Sequence, residues 1–435
     1  MEEHELLREM EAQNRWWAEK TIELDKGLIE RGSYRKILQE AEKKEITGII
    51  GLRRIGKTTI LNILAQHFGW GIHELSTPAK DTQTGLMRFF TRFLFLKNIF
   101  QPQESAATIG KLEYDSGNSA NLEIPNQDAA SYQVNISGRQ EVKGLYIPSH
   151  RPLFSYTAVS QLPIQKRSKS EAFSLVVNSL RQRVLGGGGH PTNYHIKETL
   201  LTWAVYGFGN NVIEADQEQI DNYNGFEDIL RKVLPKQIGF ERFAIRKNEV
   251  VLETKTGQFM IDAVSGGVSA IIDLAWQIYM ASTKDGEKLT VLIDEAENHL
   301  HATMQRSILP DFLNAFPSIQ FIVSTHNPLI VGSVKDSRVY VLQFGDDNRV
   351  FSSELDIVNK AKTASEILRD VLGVPFTMPV WVEEKLQEIV SKYSKGEINE
   401  ETIGEMRNEL SEVGLEELIP EATIKTLEKS DNDKN

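Results

Sequence analysis

Three short motifs in the second half of the chain combine residue types that bind phosphate groups and activate water. They are Ser265-Gly266-Gly267, then Val291-Leu292-Ile293-Asp294-Glu295, then Ser324-Thr325-His326. A fourth motif, running from Gly51 to Thr58, has the form G-x-x-x-x-G-K-[ST]. Glycines, a lysine, paired carboxylates and a histidine serve the positioning and charge neutralisation on which phosphoryl transfer depends. The order and spacing of the four motifs therefore predict a site that binds and hydrolyses ATP.

The N-terminal motif predicts a phosphate-binding loop. Glycines let backbone N–H groups curl around the β- and γ-phosphates, a lysine adds a positive charge, and the following helix directs its dipole at the phosphates. An apolar strand, Ile46–Gly51, precedes the motif, and helical apolar spacing over Thr58–Phe68 follows it. A chance glycine turn is the alternative. The nucleotide-binding residues predicted here are Gly51, Gly56, Lys57, Thr58 and Thr59, and the Thr58 hydroxyl is also predicted as a ligand of Mg²⁺.

The acidic pair Asp294-Glu295 follows an apolar strand, Leu289–Ile293. An aspartate at the end of a strand beside a phosphate loop holds Mg²⁺, and the next carboxylate orients or deprotonates the attacking water. A solvent-facing acidic pair is the alternative, which the upstream Lys57 disfavours. We predict Asp294 as a metal residue and Glu295 as a catalytic residue.

The serine and glycines of Ser265-Gly266-Gly267 precede a predicted helix, where a serine and two glycine amides form a second anion site. One chain needs a single phosphate cradle for its own nucleotide, so this second cradle is expected to cap the γ-phosphate held by a partner chain. His326, at the end of a strand, is predicted to hydrogen-bond the γ-phosphate and the attacking water. A plain serine N-cap and a structural histidine are the alternatives.

Composition limits the function classes. The 435 residues are 40% hydrophobic and 25% charged, as in an ordinary globular protein of two or three domains. The chain contains no cysteine, which excludes disulfides, thiolate metal sites and a cysteine nucleophile. The N-terminus is acidic, and the longest apolar stretch is short and interrupted by charges, so we expect neither a signal peptide nor a membrane partner. A cytoplasmic location is predicted. The net charge of −12 argues against a protein that coats nucleic acid, although a local basic groove remains compatible with it.

Periodicity and turn signals predict five segments. These are an N-terminal helical segment (1–45), a first part of an ATPase core with the phosphate loop and a β-rich region (46–160), a helical insertion lobe (161–238), a second part of the core (239–345) and a C-terminal helical region with a disordered tail from Glu428 (346–435). Strands are predicted at 144–148, 289–293, 319–323 and 338–343, alternating in the second part with helices near 266–282, 302–315 and 328–333. A strand pair with a turn at Lys255–Gly257 is predicted before the serine-glycine motif. Repeated strand–helix units imply an α/β fold with a mostly parallel sheet flanked by helices.

At these motifs the chain resembles the ABC-type ATPases of the RecF/SMC/OLD group, particularly the stand-alone bacterial AAA-family members found in anti-phage defence. The resemblance covers Ile46–Phe68 and Ile261–Phe344, with a Walker B segment running from Asp294 to His301 and the sequence Ser324-Thr325-His326-Asn327-Pro328. The stretch Leu145–Arg151 is also similar to these proteins. The resemblance implies a P-loop NTPase that binds ATP and Mg²⁺, dimerises head-to-tail over two nucleotides or forms a higher homo-oligomer, and controls a partner effector in trans.

The phosphate loop departs from this group, because Leu52-Arg53-Arg54-Ile55 is more typical of AAA-type or STAND-type ATPases. No glutamine is assignable to a Q-loop. The long interval between Lys57 and Asp294 nevertheless fits the ABC-type order, since an AAA-type module places its Walker B strand soon after the phosphate loop.

Two weaker patterns have plainer interpretations. Glu295, Glu297, His299 and His301 suggest a zinc site, but packing at a subunit interface is favoured. Lys166, Arg167, Lys169, Arg181 and Arg183 suggest a nucleic-acid patch, but a solvated helix face is favoured. No nuclease is predicted after Asp346-Asp347, since the following residues have helical spacing.

Three functions compete. The favoured hypothesis is a nucleotide-dependent dimerisation switch, in which ATP joins two subunits and hydrolysis separates them. The alternatives are an ATP-stabilised scaffold with little turnover and a RecF- or SMC-like DNA-repair ATPase.

Overall fold

The computed structural model describes residues 46–51, 55–80, 87–90, 106–114, 116–125, 129–184, 187, 189–282, 288–344, 350–372, 379–394 and 399–432. The helix predicted over 1–45 and residues 52–54 of the phosphate loop lie outside these ranges. Two compact units divide the chain at Ile367/Leu368.

A six-stranded sheet organises the first unit. Its strands, in spatial order, are β16 (Val350–Glu354), β15 (Arg338–Phe344), β1 (Ile46–Gly51), β14 (Ile319–Thr325), β13 (Leu289–Ile293) and β9 (Gly144–Ile147). Every neighbouring pair is parallel except β15 with β16. The central strands are apolar along their length because helices cover both faces of a parallel sheet. The predicted α/β fold with a mostly parallel sheet is confirmed.

Helices follow the strands that carry the motifs. They are α1 (Lys57–Ala65, continued by a 3-10 turn to Phe68), α5 (Gly266–Ala281), α6 (Ala302–Ala315) and α7 (Pro328–Val331). Ile60, Leu61 and Leu64 form the buried face of α1, in agreement with the predicted apolar spacing. Because parallel strands end at the same edge of the sheet, the residues after β1, β13, β14 and β9 are brought together there.

Between β1 and β9 the described chain forms small antiparallel sheets. They pair β2 (Glu74–Leu75) with β7 (Ser131–Tyr132), β3 (Thr77–Lys80) with β4 (Met87–Phe90), and β6 (Ser119–Pro125) with both β5 (Ala106–Glu113) and β8 (Asn135–Ser137).

A helical lobe precedes the serine-glycine motif. It contains α2 (Lys169–Val184), α3 (Thr192–Phe208) and α4 (Gln217–Val233), followed by an antiparallel sheet of β10 (Phe240–Arg246), β11 (Glu249–Thr254) and β12 (Gly257–Met260). The predicted strand pair is therefore a three-stranded sheet. Its first turn is Lys247-Asn248, both with positive φ, and Lys255-Thr256 forms the second turn.

The region predicted as helical beyond residue 345 begins with a strand instead, because β16 pairs with the edge of β15 in a hairpin. The short helices α8 (Ile357–Lys360) and α9 (Ala364–Glu366) follow, with a π-type turn from Ile367 to Val371. The described part of the second unit contains α10 (Val380–Tyr393), α11 (Glu400–Glu412), a 3-10 turn at Glu416–Leu418 and α12 (Ile419–Asn432).

The tail predicted as disordered from Glu428 is helical as far as Asn432. Ala422 and Thr426 are buried and anchor α12, and the polar residues that follow continue its hydrogen-bonded turns. Among the described residues, no helix combines the length and apolar character needed to cross a membrane.

Candidate functional site

Two glycines shape the loop between β1 and α1. A Cβ on Gly51 would lie 2.7 Å from the carbonyl oxygen of Leu342, so only glycine allows this close approach of the two strands. Gly56 has a φ of 103° and forms the N-cap of α1, a backbone conformation that favours glycine. The helix consequently begins at Lys57, and its first three residues are Lys57, Thr58 and Thr59. The first N–H groups of a helix have no acceptor within it, which suits them to an anion.

The lysine of the loop curls back over it. Lys57 Nζ donates to the Gly51 carbonyl at 2.7 Å, and the side chain is buried. The ammonium group is therefore held at the carboxyl edge of the sheet, above the loop whose backbone would surround a phosphate.

A hydroxyl and a carboxylate join the loop to β13. Thr58 Oγ1 donates to the carboxylate of Asp294, at 3.0 Å from Oδ2 and 3.2 Å from Oδ1. Asp294 is 1% exposed and also accepts a hydrogen bond from Ser324 at the end of β14. Hydroxyl and carboxylate oxygens are the protein ligands that Mg²⁺ prefers, so this donor set fits the ion.

The second carboxylate sits on a strained backbone. Glu295 has a φ of 48°, which is uncommon for a residue with a side chain. Its N–H donates to Ser324 Oγ at 3.0 Å, and its Oε2 accepts from Asn298 Nδ2 at 2.9 Å. The side chain remains one-third exposed, at 33%. The conformation turns Glu295 out of the sheet while Asp294 stays buried.

A third carboxylate, Glu297, holds the histidine. Glu297 accepts from Thr325 Oγ1 at 2.7 Å and from the His326 N–H at 2.9 Å, and its Oε1 lies 3.0 Å from His326 Nδ1. Glu295 Oε1 lies 4.0 Å from the same nitrogen. The hydrogen bonds of Glu297 therefore fix the backbone at the end of β14, and His326 Nδ1 makes no hydrogen bond within the described ranges. Sequence reasoning gave Glu297 no such role, although its spacing after Asp294-Glu295 was visible.

Arg151, which follows β9, hydrogen-bonds to the backbone of Asp294 and Glu295. Its guanidinium donates to the carbonyl oxygens of Asp294 at 3.0 Å and Glu295 at 2.9 Å, and also to Pro148 at 3.1 Å. The side chain is 4% exposed, and burial lowers the pKa of Arg151 against the opposing charges of the nearby carboxylates. The planar guanidinium group of Arg151 therefore stabilises the positive-φ backbone at Glu295. The sequence identified the segment but not this contact, which depends on β9 pairing with β13.

The serine-glycine motif lies at the start of α5, close to Leu153 and to the chain that follows Glu297. Ser265 is exposed and is the N-cap of α5, but its side chain makes no cap hydrogen bond. A Cβ on Gly267 would lie 2.7 Å from Met304 Sδ and 3.4 Å from the His299 carbonyl, and one on Gly266 would lie 3.4 Å from Leu153. None of the hydrogen bonds found in the described ranges joins Ser265–Gly267 to the phosphate loop. The structure therefore gathers Lys57, Thr58, Asp294, Glu295 and His326 at one edge and leaves the serine-glycine turn outside that group.

The helix behind this turn carries a buried acid. Asp273 on α5 is 1% exposed and accepts from Gln277 Nε2 at 3.0 Å. Burial raises the pKa of Asp273 to about 7, and the positive charge of Arg151 is the main influence in the other direction. Asp273 was not singled out from sequence.

The weaker sequence patterns have other contacts. His299 Nε2 lies 3.1 Å from the Arg151 carbonyl, and His301 Nδ1 accepts from Thr303 N–H as the N-cap of α6. The five cations of the suggested nucleic-acid patch have partners within the chain: Lys166 with Asp216, Arg167 with Glu198, Lys169 with the Ser282 carbonyl, Arg181 with the Phe68 carbonyl and Arg183 with the Gly189 carbonyl.

The chain is similar to several known proteins. Residues 195–332 match the family model described as "AAA domain, putative AbiEii toxin, Type IV TA system". Septu protein PtuA of Bacillus mycoides (strain KBAB4) is 26% identical over 305 residues, which cover 65% of this chain and 40% of that protein. The "Retron Vc95 probable ATPase" of Vibrio cholerae serotype O1 biovar El Tor is 44% identical over 52 residues, 12% of this chain and 10% of that protein. The chain spans less than half the length of these relatives.

Among solved structures, the chain is similar to the Smc head domain of Pyrococcus furiosus, with 14% identity, 75% of this chain and 92% of that chain covered, and a TM-score of 0.37. The family match and the curated relatives confirm the resemblance to ABC-type ATPases that the motifs indicated.

Proposed function

We propose that this chain is an ATPase that binds ATP and Mg²⁺ at the phosphate loop and completes its active site with the serine-glycine turn of a second copy. ATP would join two chains head-to-tail, and hydrolysis would release them. The observation that carries the proposal is the hydrogen bond between Thr58 and Asp294, which joins the loop to the acidic strand end beside Glu295 and His326.

Each residue of the site has a proposed role that follows from its position. Lys57 and the first N–H groups of α1 would bind the phosphates, and Gly56, with its positive φ, sets the start of that helix. Thr58 and Asp294 would hold Mg²⁺, which supplies positive charge to the β- and γ-phosphate oxygens. Glu295, turned outward by its positive φ, orients or deprotonates the attacking water.

His326 would contact the γ-phosphate and the same water. Glu297 holds its backbone N–H at 2.9 Å, and its Nδ1 lies 3.0 Å from Glu297 Oε1 and 4.0 Å from Glu295 Oε1. Glu295 and His326 are both one-third exposed, so they are open to a ligand at this edge while Asp294 and Glu297 are buried behind them.

The need for a second chain follows from the serine-glycine turn. Ser265 is exposed, its hydroxyl does not cap its own helix, and the turn packs against Leu153, His299 and Met304. A turn with this composition at the head of a sixteen-residue helix suits an anion that its own chain does not bring to it.

The wider role is a nucleotide-dependent switch that controls a partner effector in anti-phage defence. The relatives named Septu protein PtuA and retron ATPase support this role. A DNA-repair role has less support, since the cations of the suggested nucleic-acid patch contact groups of the same chain.

The deciding experiment measures ATP hydrolysis together with mass in solution for the wild type, Glu295→Gln and Ser265→Arg. Glu295→Gln should lose hydrolysis by about 100-fold or more, keep ATP binding, and accumulate as an ATP-dependent dimer. Ser265→Arg should bind ATP at the phosphate loop yet remain monomeric and inactive, because the arginine side chain blocks the turn.

Ser265→Ala is the matched control, since it retains the two glycine amides and should lose less activity than Ser265→Arg. Wild-type hydrolysis by Ser265→Arg would contradict the shared site, and wild-type hydrolysis by Glu295→Gln would contradict the role given to that carboxylate.

A further inference from the structure

A fully buried lysine lies between the helical lobe and the serine-glycine turn. Lys197, on α3, is 0% exposed, and its Nζ lies 2.6 Å from Asp262 Oδ2 and 2.6 Å from Glu249 Oε2. It also donates to the Thr157 carbonyl at 2.8 Å. One ammonium group therefore joins a lobe helix, strand β11, the extended segment after β9 and the turn that contains Asp262.

Asp262 is the member of this cluster closest to the proposed partner-binding turn. It belongs to the 3-10 turn Ile261–Ala263, which leads directly into Ser265. Besides Lys197, its carboxylate accepts from Asn193 Nδ2 at 2.7 Å and from the Thr157 N–H at 3.3 Å. The chain entering the serine-glycine turn is thus fixed by three donors from α3 and the segment after β9.

The electrostatics of the cluster depend on the lysine. Burial alone would lower the pKa of Lys197, but its hydrogen bonds to Asp262 and Glu249 outweigh burial and raise it, so the amine stays charged. Without that charge, the two carboxylates would face each other with no cation between them. Buried like charges repel strongly, and the repulsion is relieved when one carboxylate takes up a proton or its segment moves; in both cases the ionic contact between Asp262 and α3 is gone. Glu249 is additionally held by the pairing of β11 with β10, whereas Asp262 would keep only its bonds from Asn193 and Thr157, so losing Lys197 weakens the support of the turn more than that of the strand.

We propose that Lys197 is a positioning residue that, through Asp262, holds the Ser265-Gly266-Gly267 turn in the orientation that receives the nucleotide of a partner chain. The proposal rests on the two-chain active site described above. It predicts a defect in ATP-driven dimerisation with little change in ATP binding, because the contacts of Lys197 and Asp262 given above are with Thr157, Asn193 and Glu249.

The test uses the full chain in the Glu295→Gln background, where hydrolysis does not obscure assembly. The dimer dissociation constant with saturating ATP is measured by sedimentation, and ATP affinity is measured separately with a fluorescent ATP analogue at protein concentrations too low for dimers. Lys197→Met, which keeps the length of the side chain, should raise the dimer dissociation constant at least about tenfold. Its ATP affinity should stay within about twofold of the parent.

Two further variants make the result specific. Asp262→Asn should show the same defect, and combining it with Lys197→Met should cost no more than either change alone, since the two residues act through one contact. Lys166→Met is the matched control, because Lys166 forms an exposed ion pair with Asp216 in the same lobe without contact to the turn. It should dimerise like the parent.

Unchanged dimerisation of folded Lys197→Met would overturn the proposal. So would an equal loss of ATP affinity and dimerisation in Lys197→Met and Asp262→Asn, since the cluster would then support the whole core. Failure of the underlying function is recognised separately: dimerisation that persists in Ser265→Arg refutes the two-chain site, whatever the lysine variants do.

Discussion

The carboxyl edge of the sheet and the serine-glycine turn are both polar, but they are built in opposite ways. At the edge, Asp294 and Glu297 are buried, and each accepts hydrogen bonds from hydroxyls at the end of β14. At the turn, Ser265 is exposed, and its hydroxyl is not used as a helix cap. The edge is therefore organised before any ligand arrives, whereas the turn presents polar groups that a ligand from outside can satisfy.

The support behind the two regions also differs. The edge is fixed through backbone carbonyls, which Arg151 holds with a planar guanidinium. The turn is fixed through charged side chains, Asp262 with Lys197. A backbone clamp tolerates little movement, while an ion pair between segments lets one of them shift when the charge is altered. In the proposed function, the geometry of the catalytic residues is therefore fixed, whereas the orientation of the turn that binds the partner's nucleotide can change.

The largest effect should follow from removing the cation of the edge. Lys57→Ala should lower ATP hydrolysis by about 100- to 1000-fold, comparable with losing one strong donor to a transition-state anion. ATP affinity and hydrolysis rate are measured across ATP concentrations, with Lys392→Ala in the second unit as the control, because Lys392 pairs with Glu409 far along the chain from the motifs. If Lys57→Ala hydrolyses ATP at the wild-type rate, the phosphate groups do not bind at this edge of the sheet. The comparison between the edge and the turn then fails.

A smaller loss of ATP hydrolysis is expected from replacing Arg151. Arg151→Met should reduce kcat by about 10- to 100-fold while leaving ATP affinity nearly unchanged, since Arg151 donates to the backbone carbonyls of Asp294 and Glu295. Arg151→Lys should recover little, because one ammonium group cannot reproduce the planar fork.

Arg246→Met provides the control for the clamp, as Arg246 forms an exposed ion pair with Glu253. A higher KM with unchanged kcat in Arg151→Met would contradict the positioning role and would indicate that Arg151 contributes to binding.

Much of the edge could be predicted from sequence because each of its parts is local. Glycines with a lysine and threonine, and a strand ending in Asp294-Glu295, specify chemistry within a few residues. The parallel order of β1, β14 and β13 then brings them together, as the repeated strand–helix pattern implied.

The parts that escaped prediction depend on long-range contacts. Glu297 reaches the Thr325 hydroxyl and the His326 N–H only because β13 and β14 are neighbours, and Arg151 reaches the Glu295 carbonyl only because β9 pairs with β13. The sequence did not single out Lys197, since nothing local shows that Asp262 and Glu249 surround it. The edge strand Val350–Glu354 was likewise missed, because hairpin pairing with β15 outweighed a weak local pattern.

A modest effect should distinguish the two glycines of the turn. A methyl group on Gly267 would meet Met304 Sδ at 2.7 Å, whereas one on Gly266 would meet Leu153 at an ordinary 3.4 Å. Because the thioether is flexible, Gly267→Ala should weaken ATP-driven dimerisation of the Glu295→Gln chain by only about three- to tenfold, and Gly266→Ala by less. Sedimentation with ATP measures both. Adding Met304→Ala to Gly267→Ala should restore ATP-driven dimerisation. If dimerisation is not restored, the methyl group obstructs the partner chain and does not displace the turn.

The smallest expected effect tests whether Asp273, on the helix that begins at the serine-glycine turn, interacts electrostatically with Arg151 at the carboxyl edge of the sheet. Burial raises the pKa of Asp273 to about 7 from its ordinary 3.8, so the folded chain binds this proton more tightly than the unfolded chain does. The stability contributed by the proton is complete below pH 3.8 and is lost as the pH rises towards 7. Asp273→Asn removes that dependence, so its Tm should match the wild type below about pH 3.8 and exceed it by a growing margin as the pH rises, reaching a few degrees at pH 8. A variant less stable than the wild type at pH 8 would show that Asp273 is ionised and stabilised by Arg151. The clamp of the catalytic edge would then be electrostatically linked to the helix that begins at the serine-glycine turn, and the two regions would not be independent.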